Sequence, residues 1–268
     1  MYTTGSGSIP AVLCHATGFC GAVLGPLARA VPGLRAVAPD LRGHGDNAEL
    51  PPSGVDWRLW ADDALAGAAA LRAEGLDGPM VGFGHSGGGA ALLIAEQQQP
   101  GTFAALYLYE PVVFPPERLS EMTGENPLSG SARKRRPDFP SRDDAIANFA
   151  SKAPMNVFDR EVLEAYVDHG FARRPDGSVT LKCRPEVEAR CYEMAPESGA
   201  WAAVPSVECP VVVARGNLSS GGPALFAEHT AAALPHGSFE TYDHLDHFGP
   251  LEAPEEIAAA FERLVKQR

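Results

Sequence analysis

Apolar positions along this chain fall into two alternating kinds of stretch. Short, mostly apolar runs at residues 11–14, 34–38, 80–83, 105–109, 211–214 and 239–242 read as buried strands. Between them, residues 23–30, 57–74, 88–98, 224–234 and 254–266 read as helices. The last of these opens on Pro254, Glu255 and Glu256 and runs out through Lys266 and Arg268, charges that suit the two ends of a helix dipole. Alternation of this kind predicts an α/β fold, a mostly parallel central sheet covered by helices on both faces.

The rhythm changes over residues 115–208. Prolines at 115, 116, 127, 137, 140 and 154 break the pattern, and only residues 159–169 and 186–193 read as clear helices. Phe139, Phe149, Met155, Val157, Phe158, Leu163, Tyr166 and Phe171 are too many apolar side chains for a disordered linker. The expected division is therefore a core made of 1–114 and 209–268, with 115–208 inserted as a helical cap.

Charge narrows the partners. With 22 basic and 34 acidic residues among 268, the chain carries a formal −12, which argues against nucleic acids and anionic membrane surfaces. No run reaches the 18 or so apolar residues a spanning helix needs, and the opening residues show no signal-peptide pattern. Cys14, Cys20, Cys183, Cys191 and Cys209 form no C-x2-C pair. Free thiols in a reducing cytoplasm are the expectation. Metals and dinucleotides find no motif, so no cofactor is expected. The partner is then a small-molecule substrate, and the chain a monomer or homodimer.

The sharpest local feature is Gly84-His85-Ser86-Gly87-Gly88, set between the apolar run at 80–83 and a helical pattern. This is G-x-S-x-G in strand–turn–helix context, where a tight turn lifts a serine above the sheet edge and the following helix aims free N–H groups at it. Here the chain resembles the α/β-hydrolase fold superfamily, and three more stretches carry the likeness. Leu13-Cys14-His15-Ala16-Thr17-Gly18-Phe19 resembles its oxyanion loop, and Ala38-Pro39-Asp40-Leu41-Arg42-Gly43-His44-Gly45 the turn after its next strand. His247-Phe248-Gly249-Pro250, ahead of the last helix, resembles the loop that bears the catalytic histidine.

The resemblance implies a serine hydrolase with Ser86 as nucleophile and His247 as general base, His244 being the alternative. It implies oxyanion donors from the backbone of Gly87 and Thr17, with Gly18 as fallback, and structural roles for His15 and His44. His85 would point away from the reaction. The family's usual acid, after the strand at 211–214, is missing: residues 215–223 hold Asn217 and Ser219 but no carboxylate. Some subfamilies place it one strand earlier, which here means Glu110. A surface carboxylate at the edge of the insertion is the other reading of Glu110, and Asp243 and Asp246 would have to fold back to serve. The expected substrates are small to medium carboxylic esters or lactones. Perhydrolase, C–C hydrolase or lyase chemistry on the same triad, or a binding protein with a decayed site, stand as alternatives.

Two features lie beside the triad. The basic run Arg133-Lys134-Arg135-Arg136, with Arg142, is either a solvated cap surface or reaches over the site to hold an anionic substrate group, Arg133 and Arg136 being the candidates. Only about ten residues precede the oxyanion-loop strand, so at most one short strand fits ahead of it.

Overall fold

A computed structural model describes residues 1–119 and 126–267. Seven strands form one sheet: β1 (Tyr2–Thr4), β2 (Ile9–Cys14), β3 (Leu34–Ala38), β4 (Met80–His85), β5 (Phe103–Tyr109), and, beyond the insertion, a strand at Val211–Gly216 and another at Gly237–Tyr242. In chain order the insertion contributes β6 (Asp138–Phe139), β7 (Phe171–Arg173) and β8 (Val179–Leu181), so the last two strands of the main sheet are β9 and β10. The main sheet runs β1-β3-β2-β4-β5-β9-β10, parallel throughout except for β1, which pairs antiparallel with β3. One short strand does precede the oxyanion-loop strand, as the length allowed.

Both faces are buried, and side-chain alternation divides them. Ala11 and Leu13 of β2, with Ala105, Tyr107 and Tyr109 of β5, enter one core; Val12 and Cys14, with Leu106 and Leu108, enter the other. Helices Gly25–Ala30 and Pro254–Gln267 cover the first face, supplying Leu27, Ile257, Phe261 and Leu264. Helices Trp57–Ala73, Gly87–Gln98 and Ala227–Ala233 cover the second. This two-sided burial explains why the central strands β2, β4, β5 and β9 show as largely apolar runs.

The segment between β5 and β9 is not helical alone. Beside helices Pro127–Arg133, Arg142–Ala150, Arg160–Gly170 and Pro185–Met194, it holds a small antiparallel sheet in the order β6-β8-β7. Strands of two and three residues are too short to show a period of two, so the pattern along the chain could not reveal them. Phe139, Phe149, Tyr166 and Phe171 pack ring against ring beneath this sheet. Because β5 and β9 pair directly and in parallel, the chain leaves the main sheet at its C-terminal edge after Tyr109 and re-enters from the opposite edge, with Val211 beside Leu106.

All five cysteines are buried and unpaired. Among the described residues, no helix is long and apolar enough to cross a membrane, and no group of three His, Cys, Asp or Glu side chains is placed to hold a metal ion.

Candidate active site

Five chain segments meet at the C-terminal edge of the main sheet, where crevices in open α/β sheets form. Ser86 follows β4 with φ 55° and ψ −118°, and heads the helix Gly87–Gln98. Its N–H donates to the Tyr109 carbonyl at 3.0 Å, and its own carbonyl accepts from Val112 at 3.1 Å. Glycines make this turn possible. A Cβ on Gly84 would lie 2.5 Å from the Gly89 Cα, and one on Gly88 would lie 2.1 Å from the Cys14 carbonyl oxygen. The spacing in G-x-S-x-G is therefore set by backbone meeting backbone.

The loop after β2 runs beneath. A Cβ on Gly87 would lie 3.0 Å from Thr17 Oγ1, so the two residues expected at the oxyanion site are neighbours. His15 fixes this loop: its Nδ1 donates to the Ala16 carbonyl at 2.8 Å, and its Nε2 accepts from the Leu41 N–H at 3.1 Å. That pattern defines a neutral imidazole, and burial keeps its pKa below the ordinary value. His44, packed edge-on against His15 with ring centroids 5.2 Å apart, is pushed down to about 4, chiefly by burial. Both are structural, tying the turn after β3 to the loop after β2.

Glu110 follows β5 and is completely buried. Its N–H donates to the Ala214 carbonyl at 2.8 Å, extending the β5–β9 ladder by one residue. Its φ is 43°; Ser86 and Glu110 are the two described residues other than glycine with positive φ. The carboxylate is divided between two tasks. Oε2 meets His247 Nδ1 at 2.6 Å, while Oε1 accepts from the Gly216 N–H at 3.0 Å and from Ser219 Oγ at 2.5 Å. A buried carboxylate with both oxygens satisfied by donors meets the condition for burying such a group.

The His247 loop is anchored from three sides. Tyr109 Oη donates to the Asp246 carbonyl at 2.8 Å, Leu218 N–H to the Leu245 carbonyl at 3.0 Å, and His85 Nε2 to the His247 carbonyl at 2.7 Å. A carbonyl only accepts, so His85 carries its proton on Nε2; burial, then the neighbouring His247, hold its pKa well below the ordinary range. This role of His85 was invisible in the sequence, because its partner lies far along the chain. His244 is occupied elsewhere, at 2.9 Å from Glu256 on an exposed surface. Asp243 accepts from Asn217, and Asp246 accepts from the Phe248 N–H.

The cap arginines go different ways. Arg133 is exposed and pairs with Glu186 and Glu193. Arg136 is exposed, donates to the Asp138 carbonyl at 2.7 Å and lies over the Phe139 ring. Arg142 pairs with Asp168. The structure brings none of these three to Glu110 or His247. Arg135, not singled out in the sequence, turns inward instead.

The sequence model of the alpha/beta hydrolase family matches residues 11–260. Lipase LipV of Mycobacterium tuberculosis is 29% identical over 261 residues, spanning 95% of this chain and 92% of that protein. Among solved structures, the peroxisomal alpha-beta-hydrolase Lpx1 of Saccharomyces cerevisiae superposes with a TM-score of 0.80 at 19% identity, covering 100% of this chain and 81% of that one. A thermophilic esterase from Thermogutta terrifontis, solved with malate bound, gives 0.69 at 22% identity, covering 99% and 92%.

Proposed function

Since the chain belongs to the alpha/beta hydrolase family, we propose that it is a serine hydrolase of small to medium carboxylic esters or lactones, acting through Ser86, His247 and Glu110. The observation that carries this reading is the 2.6 Å contact between Glu110 Oε2 and His247 Nδ1, made by a carboxylate wholly removed from water. The relative named a lipase and the structural neighbour named an esterase support ester chemistry.

In the proposed reaction, Ser86 Oγ attacks the ester carbonyl while His247 Nε2 takes its proton. Glu110 keeps the imidazole proton on Nδ1, so that Nε2 is free to act as base, and stabilises the imidazolium that forms. The N–H groups of Gly87 and Thr17 receive the oxyanion; such a pair is worth several kcal/mol in the transition state. His247 returns its proton to the leaving alcohol, and the acyl-enzyme remains. Water, deprotonated by the same imidazole, then releases the acid and regenerates Ser86. Neither step calls for a cofactor. The buried, unpaired cysteines fit a cytoplasmic protein, and a monomer or homodimer suffices for this chemistry.

The test is labelling by a fluorophosphonate probe together with turnover of p-nitrophenyl acetate. Both are expected in the native protein and lost in Ser86→Ala. A protein that neither labels nor turns over, or labels equally after Ser86→Ala, is a binding protein of hydrolase shape.

A further inference from the structure

Arg135 follows the helix Pro127–Arg133 and points from the cap into the molecule. It donates from Nη1 to Glu188 Oε2 and from Nη2 to the Tyr166 hydroxyl. The two charged side chains are only 22% and 6% exposed. They come down on the loop after β2. A Cβ built on Gly18 would lie 2.6 Å from Glu188 Oε1 and 3.3 Å from Arg135 Nη1, so glycine is what lets the pair approach. The Tyr192 hydroxyl lies 3.5 Å from Glu188 Oε1.

The same loop carries Phe19, whose ring is 5.2 Å from Tyr166, the partner of Arg135, and 6.2 Å from Phe248. The Phe248 ring is in turn 5.3 Å from His247. The ion pair thus meets this loop at Gly18 and the aromatic rings meet it at Phe19, with Tyr166 common to both, next in the chain to Thr17 of the proposed oxyanion site.

A buried ion pair is a poor device for stability, because desolvating two charges offsets most of their attraction. It is a good device for recognition. A guanidinium has five N–H donors, of which described residues engage two. We propose that Arg135 and Glu188, with Tyr166 and Tyr192, form a substrate subsite for an uncharged hydrogen-bonding group, of which a secondary amide is the best fit, carried a few atoms from the scissile ester. The proposal rests on the serine-hydrolase reading of Ser86. The group is uncharged because Glu188 already balances the guanidinium, and a substrate carboxylate would approach Glu188 Oε1. An amide offers its carbonyl oxygen to Arg135 and its N–H to Glu188. It sits close to the reacting carbonyl because the subsite abuts Gly18, next to the Thr17 N–H.

Three methyl esters of similar length separate the possibilities, followed by pH-stat in the full-length protein: methyl N-acetylglycinate, methyl pentanoate and monomethyl succinate. The double variant Arg135→Met/Glu188→Leu removes the pair without leaving an unpaired buried charge. The ratio of kcat/KM for the amide ester to that for the pentanoate is expected to fall about tenfold or more in this variant. Equal losses on both esters would mean that the pair only holds the cap against the loop, and would overturn the proposal. So would a wild type that favours monomethyl succinate and loses that preference in the variant, since the subsite would then be anionic. If the double variant does not fold, Tyr192→Phe reads the same ratio, with a drop of about two- to threefold expected and no change counting against the subsite. Fluorophosphonate labelling of the wild type keeps the two readings apart. A protein that labels at Ser86 but does not discriminate among the esters sinks the subsite alone; one that does not label sinks the hydrolase.

Discussion

The hydroxyl of Ser219 lies 2.5 Å from Oε1 of Glu110. Ser219 stands in the loop after β9, where the family's commonest arrangement would put the acid, and it holds Glu110, the acid of the proposed triad, which comes from the neighbouring strand. Direct pairing of β5 with β9 makes the exchange possible, because the two strand ends deliver side chains to the same place.

Replacing Glu110 with Gln keeps the shape but offers His247 Nδ1 an amide in place of a charge. We expect kcat to fall about a hundredfold or more with the melting temperature little changed. Near-wild-type turnover in Glu110→Gln would remove this residue from the triad.

Moving the acid back is the complementary experiment. Glu110→Gln/Ser219→Asp returns a carboxylate to the loop after β9, and should recover about tenfold of the activity lost in Glu110→Gln alone. No recovery would mean that the Ser219 position cannot reach His247 Nδ1, and that Glu110 holds the better geometry.

His44 makes stability depend on pH. Its pKa is about 4 in the fold against an ordinary 6.5, so the unfolded chain binds the proton first. The contribution is fully present above pH 6.5, shrinks as pH falls from 6.5 towards 4, and is gone below that, a change of roughly 3 kcal/mol. His15 and His85, also lowered by burial, act in the same direction. Urea unfolding at a series of pH values should show this slope, and His44→Gln should flatten it; an unaltered slope would assign the effect to other groups.

Gly88→Ala tests the packing of the turn. The new Cβ would sit 2.1 Å from the Cys14 carbonyl oxygen and 2.7 Å from that of His15. Both atoms are backbone, which leaves no flexible side chain to move, so the loss should be about 3 kcal/mol or more by chemical denaturation. A variant of native stability would show that the loop after β2 can recede.

Arg133→Ala and Arg136→Ala should change stability by no more than about 1 kcal/mol each and leave ester turnover near wild type, because both are exposed and held by surface partners. A large loss of kcat/KM in either would restore it as a substrate contact.

What the sequence could announce was whatever depends on neighbours along the chain. Every predicted strand of the main sheet lies inside an observed one; in the central strands β2, β4, β5 and β9 burial leaves a nearly continuous apolar run, while the edge strand β10 keeps Glu240 and Thr241. In the proposed site, Ser86 was legible because its glycines must be adjacent, and His247 because its loop leads straight into the final helix. Glu110 was reached through a gap: no carboxylate between residues 215 and 223. Other features depend on contacts across the chain and left no local trace. His85 serves a carbonyl 162 residues away, and nothing in a run of four basic residues tells which one turns inward. Arg135 does so two residues past the end of the helix Pro127–Arg133, a boundary the pattern did not mark.

The two positive φ angles, at Ser86 and Glu110, set the price of activity against durability. A side chain in such a conformation costs on the order of 1–3 kcal/mol, more than the roughly 0.5–1 kcal/mol by which glycine's freedom in the unfolded chain weakens a fold. Glycine at position 86 should therefore give an inert protein that melts higher than the active one. Thermostability selected without an activity screen would then tend to erase the serine, and any programme of hardening this enzyme has to hold positions 86 and 110 fixed.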